Sequence, residues 1–408
     1  MSAALALWRA LLSLALLGTT TSAIFLLLVL VAAFQYRRAA RKAREDAGHV
    51  PDASLPPVTI FKPLHGAEAK LEENLESFFQ QRYPEFEIVF GARRADDAGL
   101  RMAETISRRH PEIPSRFVVS GPPAWPNAKV FSLSNMIPTS SRNYFVISDS
   151  DVGVSPNFLR HVIAPLLDPK IGLVTCPYQG VSAGDFWSSL EALGLSVEMA
   201  SGVMVAEMFE GLRFALGPAV ALRREVLEKI GSIAATADYY SDDFVLGNKT
   251  WAAGYKVIYS HYVVRHVLTP RPVTRTLGDQ LRWMKSTRYS RPLGHVGAGL
   301  TYAMPFGVLG LISAAALGHW LLGAVLLAVA LLNRIVQSVV VGWQTIGDRQ
   351  SLKLCWLYPL RDLEGFFIWA ASFTGRKFFW RGEKYRFGKE GKIAPVDRPS
   401  APAEGAQR

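Results

Sequence analysis

Two carboxylates spaced i and i+2, Asp149 and Asp151, close an apolar run, Phe145-Val146-Ile147-Ser148. Paired hard oxygens suit Mg²⁺ or Mn²⁺, and such an ion in turn grips a diphosphate. The run reads as a buried strand, because strands of a parallel sheet are apolar on both faces. Its end then delivers both carboxylates into the crevice at the carboxyl edge of an open α/β sheet, where ligands bind. Asp and Ser are also common turn residues, and the tripeptide taken alone is open to that reading. A second acidic pair, Asp242-Asp243, follows Ser241. Structurally, Ser241 is a helix N-cap, the aspartates favour the positive end of the dipole, and Gly254 closes the helix. A carboxylate at a helix start also serves as a general base where it is partly desolvated beside a cleft. A third stretch, LGDQLRWMKSTRY at 277–289, has a helical period and mixes apolar with basic residues. It reads as an amphipathic helix on a membrane surface. Arg282 within it could clamp a diphosphate, and Trp283 could wall an acceptor.

Positioning such groups takes a sheet. Strands are expected at 58–61, 86–91, 116–119, 144–148 and 171–176. Helices are expected at 68–80, 97–109 and 129–136, with another from about Pro156. This alternation with short connections implies right-handed βαβ units and a mostly parallel sheet. No G-x-G-x-x-G follows the first strand and no Walker A sequence occurs, which excludes dinucleotide oxidoreductases and P-loop kinases. The 186–209 stretch is apolar with interspersed glutamates and three methionines. It reads as an amphipathic helix packed on the sheet, or as a surface for a lipid acceptor. Residues 214–223 contain Gly217-Pro218 and form a candidate loop facing the sugar.

The rest of the 408-residue chain is built for a membrane. Half of it is hydrophobic, and its formal charge is +11. The apolar residues gather in the first ~35 residues and after residue 295, as membrane-spanning stretches do. Leu11–Phe34 is long enough to cross a bilayer core at ~1.5 Å per residue. Only Arg9 precedes it, whereas Arg37, Arg38, Arg41, Lys42 and Arg44 follow, which places the following residues in the cytoplasm. Basic clusters flanking apolar segments point to anionic headgroups and away from nucleic acid. Cys176 and Cys355 are too few for a zinc motif or a disulfide framework. The stretch 301–342 allows two spans with a turn near Gly318. The 352–374 stretch is apolar but broken by Arg361, Asp362 and Glu364, and reads as re-entrant or interfacial. The resulting domain map is an anchor with basic flank at 1–44, a linker at 45–56 and an α/β catalytic domain at 57–273. An amphipathic interfacial segment follows at 274–295, membrane segments at 296–375, and a basic cytoplasmic tail with a disordered end (from 391) at 376–408.

Taken in order, Phe61-Lys62-Pro63-Leu64-His65-Gly66, Asp96-Asp97, Asp149-Ser150-Asp151, Asp242-Asp243 and Arg282-Trp283 resemble the motifs of family 21 glycosyltransferases. These are the ceramide glucosyltransferases and the related bacterial enzymes of hopanoid biosynthesis. The resemblance covers roughly residues 5–390. It implies a GT-A fold, an inverting mechanism dependent on Mg²⁺ or Mn²⁺, a UDP-sugar donor and a lipid acceptor, ceramide or hopanoid. By position it implies that Lys62, Asp96 and Asp97 contact the donor, and that Asp149 and Asp151 hold the diphosphate through the metal. Asp243, with Asp242 second, is the implied base for the acceptor hydroxyl, and Arg282 and Trp283 end a Q/R-x-x-R-W motif. That motif's first position here is Asp279, with Gln280 next. The run from Arg282 to Arg288, followed by Ser290-Arg291-Pro292, looks closer to the bacterial hopanoid branch. A bacterial inner membrane follows from that branch, whereas a Golgi location would suit a eukaryotic ceramide enzyme. A processive polysaccharide synthase shares the fold but carries more spans and an intact Q-x-x-R-W. A non-catalytic membrane scaffold would use the acidic pairs only as caps and turns.

Overall fold

The computed structural model describes residues 3–380 and 383–396. Seven strands form the central sheet in the order β3-β2-β1-β4-β8-β6-β9. They are β1 (Val58–Pro63), β2 (Phe86–Ala92), β3 (Ser115–Val119), β4 (Tyr144–Ser148), β6 (Ile171–Thr175), β8 (Ala219–Arg223) and β9 (Lys256–Tyr259). β1 pairs in parallel with β2 and β4, and β6 in parallel with β9. β8 alone runs backwards, antiparallel to β4 and β6. β4 lies at the centre. Phe145 and Val146 are fully buried and Ile147 nearly so, as an unbroken apolar run demands.

The reversal of β8 decides what faces β4's end. Because β8 is antiparallel, its first residues lie beside the last residues of β4. The Asp149 amide accordingly donates to the Pro218 carbonyl at 3.1 Å. Within the stretch that holds the candidate loop, residues 219–223 are a core strand, with Gly217-Pro218 as its entry.

A small second sheet, order β5-β10-β7, lies beyond the Asp motif. It contains β5 (Val152–Gly153), β7 (Tyr178–Val181) and β10 (Val264–Val267). β10 pairs with β5, so the Val267 amide donates to the Asp151 carbonyl at 2.8 Å and fixes the loop after β4.

The first helix, Ala3–His49, runs unbroken for 47 residues. Helical segments Phe186–Glu210 and Trp320–Thr345 are also long and apolar enough to cross a membrane, whereas Met304–Ala316 is shorter. Gly18 of the first helix lets the Phe306 ring approach: a Cβ there would lie 2.1 Å from it. Gly318 turns the chain with φ +81° between the two C-terminal apolar helices, where a turn is expected. The charges at 361–364 lie in one helix, Tyr358–Ser372, and are neutralised inside the protein. Arg334 pairs with Asp362 at 3.0 Å, both side chains being 3% exposed. Asp362 Oδ2 also accepts from the Ala303 and Met304 amides at 3.0 and 2.8 Å. Removing one partner of a buried pair strands the other charge, at a cost of about 3–5 kcal/mol. Asp362→Ala is expected to lower detergent-phase unfolding stability by that order, with the sheet-borne cleft intact; an unchanged denaturation midpoint would contradict this.

Near the end of the described residues lies an antiparallel sheet of β11 (Lys377–Trp380), β12 (Glu383–Phe387) and β13 (Ile393–Pro395). Its Phe378, Tyr385, Phe387 and Ile393 bury against Tyr240 and Tyr289. Residues 391–396 are thus ordered, contrary to expectation, because Ile393 fills that small core and its amide donates to Asp238. The rest of the expected disordered end, 397–408, lies outside the described residues.

Candidate active site

Asp149 and Asp151 leave β4 at the carboxyl edge of the sheet, and the groups around them come from four directions. β1 contributes Lys62, fully buried on the neighbouring strand. Its ammonium donates to the Asp149 carbonyl at 2.5 Å and lies 3.8 Å from the Phe78 ring centroid. Burial pushes this amine down to about 7, with Asp149, Asp151 and Glu68 opposing the drop. Lys62 therefore holds the β4 terminus by its backbone, and through that strand end fixes the acidic pair.

Lys129 reaches in from the Ala128–Met136 helix and donates to Asp149 Oδ1 at 2.6 Å, with Asp242 Oδ2 at 3.9 Å. Burial alone would lower this ammonium, but Asp149 and Asp242 outweigh it and hold it above its usual value. Asn127 starts the helix, accepting from the Lys129 and Val130 amides at 3.0 and 3.2 Å. Its amide nitrogen donates to the Tyr239 carbonyl at 2.9 Å and to Asp242 Oδ1 at 3.2 Å. Asp242 is thus committed to Asn127 and Lys129.

Asp243 is the second residue of the Asp242–Ala252 helix, in its first turn. A Cβ built on Gly217 would lie 3.1 Å from Asp243 Oδ2 and 3.8 Å from Asp149 Oδ2. Gly217 therefore separates the second acidic pair from the first by the width of one missing methyl. Burial pushes the Asp243 carboxyl up to about 7; neighbouring Asp242 adds to the rise and Lys129 opposes it. Gly217→Val is expected to keep the fold while cutting activity at least about tenfold, because the added methyls occupy the gap. Activity of the purified variant beside its melting curve checks this. Ser241 stands at the N-cap position as expected, but its hydroxyl does not cap: it hydrogen-bonds Ser286 Oγ at 2.6 Å.

On the far side of the Asp motif, Ser150 Oγ donates to Glu68 Oε2 at 2.6 Å. Burial, then Asp151, raises the Glu68 carboxyl above the usual range. Asp151 Oδ1 and His266 Nδ1 lie 3.6 Å apart, and each is buried without a hydrogen-bond partner.

The remaining expected site residues are placed differently. Asp97 caps the Ala98–Ser107 helix, accepting from Gly99 and Leu100 amides at 2.9 and 3.3 Å and from the Gly66 amide at 2.9 Å. It thereby ties the loop after β1 to the loop after β2. Asp96 is exposed and pairs with Arg94 at 2.5 Å. Arg282, expected as a diphosphate clamp, donates to Tyr240 Oη and Asp279 Oδ1, both at 2.7 Å, and to the Phe379 carbonyl at 3.2 Å. Asp279 also binds Arg271 at 2.7 Å. This network secures Tyr240, three residues ahead of Asp243. Trp283 is about one-third exposed on the same helix.

The donor set at β4 fits a hard divalent ion. Asp151 Oδ1 is an unsatisfied buried oxygen, and Asp149 Oδ1 already holds a cation, the Lys129 ammonium. Among the described residues no group of three His, Cys, Asp or Glu is arranged for a metal. An ion held there would need ligand oxygens beyond these two carboxylates to complete its shell.

Sequence reasoning missed Lys129, Asn127, Glu68 and His266. A signal existed for Lys129. It is the second residue of its helix, where the dipole disfavours a cation, so its position breaks a local rule that only nearby anions explain.

The family profile described as glycosyl transferase family 21 matches residues 23–393. Ceramide glucosyltransferase 3 of Caenorhabditis elegans is 24% identical over 386 residues, 91% of this chain and 80% of the relative. Ceramide glucosyltransferase 1 of the same organism is 26% identical over 215 residues, 52% of this chain and 45% of the relative. Among solved structures, mannosyltransferase PcManGT from Pyrobaculum calidifontis, in complex with GDP-Man and Mn²⁺, superposes with a TM-score of 0.50. It is 18% identical and covers 87% of this chain and 99% of that chain, a likeness of fold.

Proposed function

The chain belongs to glycosyltransferase family 21, and on that premise we propose that it moves a hexose or N-acetylhexosamine from a UDP-sugar to the hydroxyl of a membrane lipid, ceramide or hopanoid, with inversion. One observation carries the reading. An upshifted carboxylate, Asp243, stands across Gly217 from a second acidic group at the ligand-binding edge of the sheet. Three helical segments long and apolar enough to cross a membrane support anchoring of that edge in a bilayer.

Asp149 and Asp151 would hold Mg²⁺ or Mn²⁺. The ion, when bound, supplies Lewis-acid stabilisation of the leaving diphosphate. Lys129 adds a fixed positive charge at Asp149, and Lys62 locks the strand end that carries the pair. Preorganised charge at a leaving group contributes a large share of such catalysis. Asp243 removes the proton from the acceptor hydroxyl, which then attacks the anomeric carbon from the face opposite the leaving group. A carboxyl near 7 is matched to that task at neutral pH. Asp242, held by Asn127 and Lys129, adds to the rise of its neighbour Asp243. Asp96 lies after β2 on the same sheet edge, where base or ribose would lie, and Asp97 shapes that loop. Arg282 acts through Tyr240 on the Asp243 segment, and Trp283 contributes an apolar wall near the acceptor. The basic residues at 37–44 support a catalytic domain on the cytoplasmic side, of a bacterial inner membrane in the hopanoid branch.

The test is a transfer assay on detergent-solubilised protein with Mg²⁺ or Mn²⁺. UDP-glucose and UDP-N-acetylglucosamine are crossed with ceramide, diacylglycerol and bacteriohopanetetrol. One glycolipid product is expected. A sugar ladder would favour the processive synthase, and UDP release without glycolipid would overturn the acceptor list.

A further inference from the structure

A cavity of about 570 Å³ lies where the first helix leaves its apolar run, and none of the acidic site residues lines it. One wall is a single face of that helix: Ala32, Tyr36, Ala39, Ala40, Ala43 and Ala47 recur at spacings of three and four. Small side chains along this face leave the space open. The facing wall comes from Met204 and Met208, flexible side chains that adapt to irregular apolar shapes. Its floor is the carboxyl end of β9, Ile258 to His261. The Tyr36 hydroxyl donates to the Ser260 carbonyl at 2.7 Å, and the Tyr36 and Tyr259 rings lie 5.5 Å apart, which fixes the helix to the sheet at this point.

We propose that this cavity seats an apolar chain of a neutral, hydroxyl- or amide-bearing lipid, the acceptor of the proposed transfer, and so rests on that reading. Three observations converge. The cavity begins at Ala32, at the end of the apolar run 11–34, so a chain enters it from the bilayer without crossing water. Its charged lining groups are Asp46 and Glu207, with no Lys or Arg, although basic residues crowd the adjacent helix surface. Asp46 repels an anionic headgroup, and the carboxyl oxygens of both residues accept from hydroxyl or amide donors. Finally, the ends of β9 and β4 share one sheet edge. They are three strand spacings apart, about 14 Å at ~4.8 Å each. A lipid held at β9 by its chain therefore has its headgroup within reach of the cleft.

The test uses the full chain in nanodiscs with a photoactivatable ceramide and, separately, photoactivatable phosphatidylglycerol. Crosslinks from ceramide are expected on residues 32–50 and 200–210, with phosphatidylglycerol weak there. Ala43→Phe, which fills the cavity, should abolish those crosslinks. It should also raise KM for a long-chain acceptor about tenfold while leaving KM for UDP-sugar and a short-chain acceptor unchanged. Met208→Trp, filling from the opposite wall, provides the same readout should Ala43→Phe fail to fold. Ceramide crosslinks confined to other segments, stronger labelling by phosphatidylglycerol, or wild-type chain-length dependence in a folded filling variant would overturn the proposal. Cavity crosslinks without sugar transfer to any lipid would uphold the cavity and overturn the acceptor assignment alone.

Discussion

Replacing Asp243 by Asn will lower sugar transfer about 10²- to 10⁴-fold, the range that a positioned general base supplies. UDP-sugar affinity should change little, because Asp149, Asp151 and the Asp96 loop are untouched. In the wild-type protein kcat/KM should fall tenfold per pH unit below about 7, where the carboxyl protonates; the variant's residual rate should lack that limb. The stability effect has the opposite sign. Burial raises this carboxyl, so its favourable contribution is complete below the ordinary carboxylate range and is lost as pH rises through about 7. At pH 8 the wild type carries the cost of an ionised group there and the Asn variant does not. The variant should therefore unfold no earlier than wild type at pH 8. A variant that is inactive only because it melts early would remove Asp243 from the mechanism, as would one with normal turnover.

Asp151→Asn should keep the fold and cost activity about a hundredfold or more, because it removes an oxygen that nothing else in the protein satisfies. The Asp151 carbonyl, held by the Val267 amide, does not depend on the side chain, so the loop keeps its course. Titration of UDP with and without Mg²⁺ or Mn²⁺ separates the effects. Wild-type affinity should depend on the ion, and the variant should lose that dependence. Asp149→Asn should do more, since it also strips Lys129 of its closest anion at 2.6 Å. Turnover near normal in Asp151→Asn would end the metal assignment.

Much of the candidate site's layout was legible because the two acidic pairs sit at strand and helix ends that sequence marks well. The apolar run into Asp149 gave a central strand, and the second acidic pair gave a helix start. What stayed hidden depends on contacts between segments far apart in the chain. β8 is five residues long, and nothing in Ala219–Arg223 says that it runs antiparallel between parallel neighbours. Yet that reversal places Gly217 between Asp149 and Asp243. Arg282 kept its place on an amphipathic helix, but its partner Asp279 could not be read as an internal ligand from spacing alone. The C-terminal sheet was missed because Phe378 and Phe387 are buried, with Tyr385 and Ile393, against Tyr240 and Tyr289 from far away in the chain. Basic residues between them make the stretch read as a solvated tail.

The unbroken first helix has a mechanical consequence. Its 47 residues make a rod about 70 Å long at ~1.5 Å per residue. The stretch after Phe34 adds about 22 Å beyond the apolar run and is pinned to the sheet at Tyr36. Height above the bilayer and rotational phase are therefore set together. Each inserted residue would lift the far end by ~1.5 Å and turn it by about 100°, so that only insertions near a whole number of turns, such as about 7 or 11 residues, come close to preserving the phase. The rod works as a ruler and a key at once, holding the cleft at one altitude and one bearing toward whatever lipid approaches.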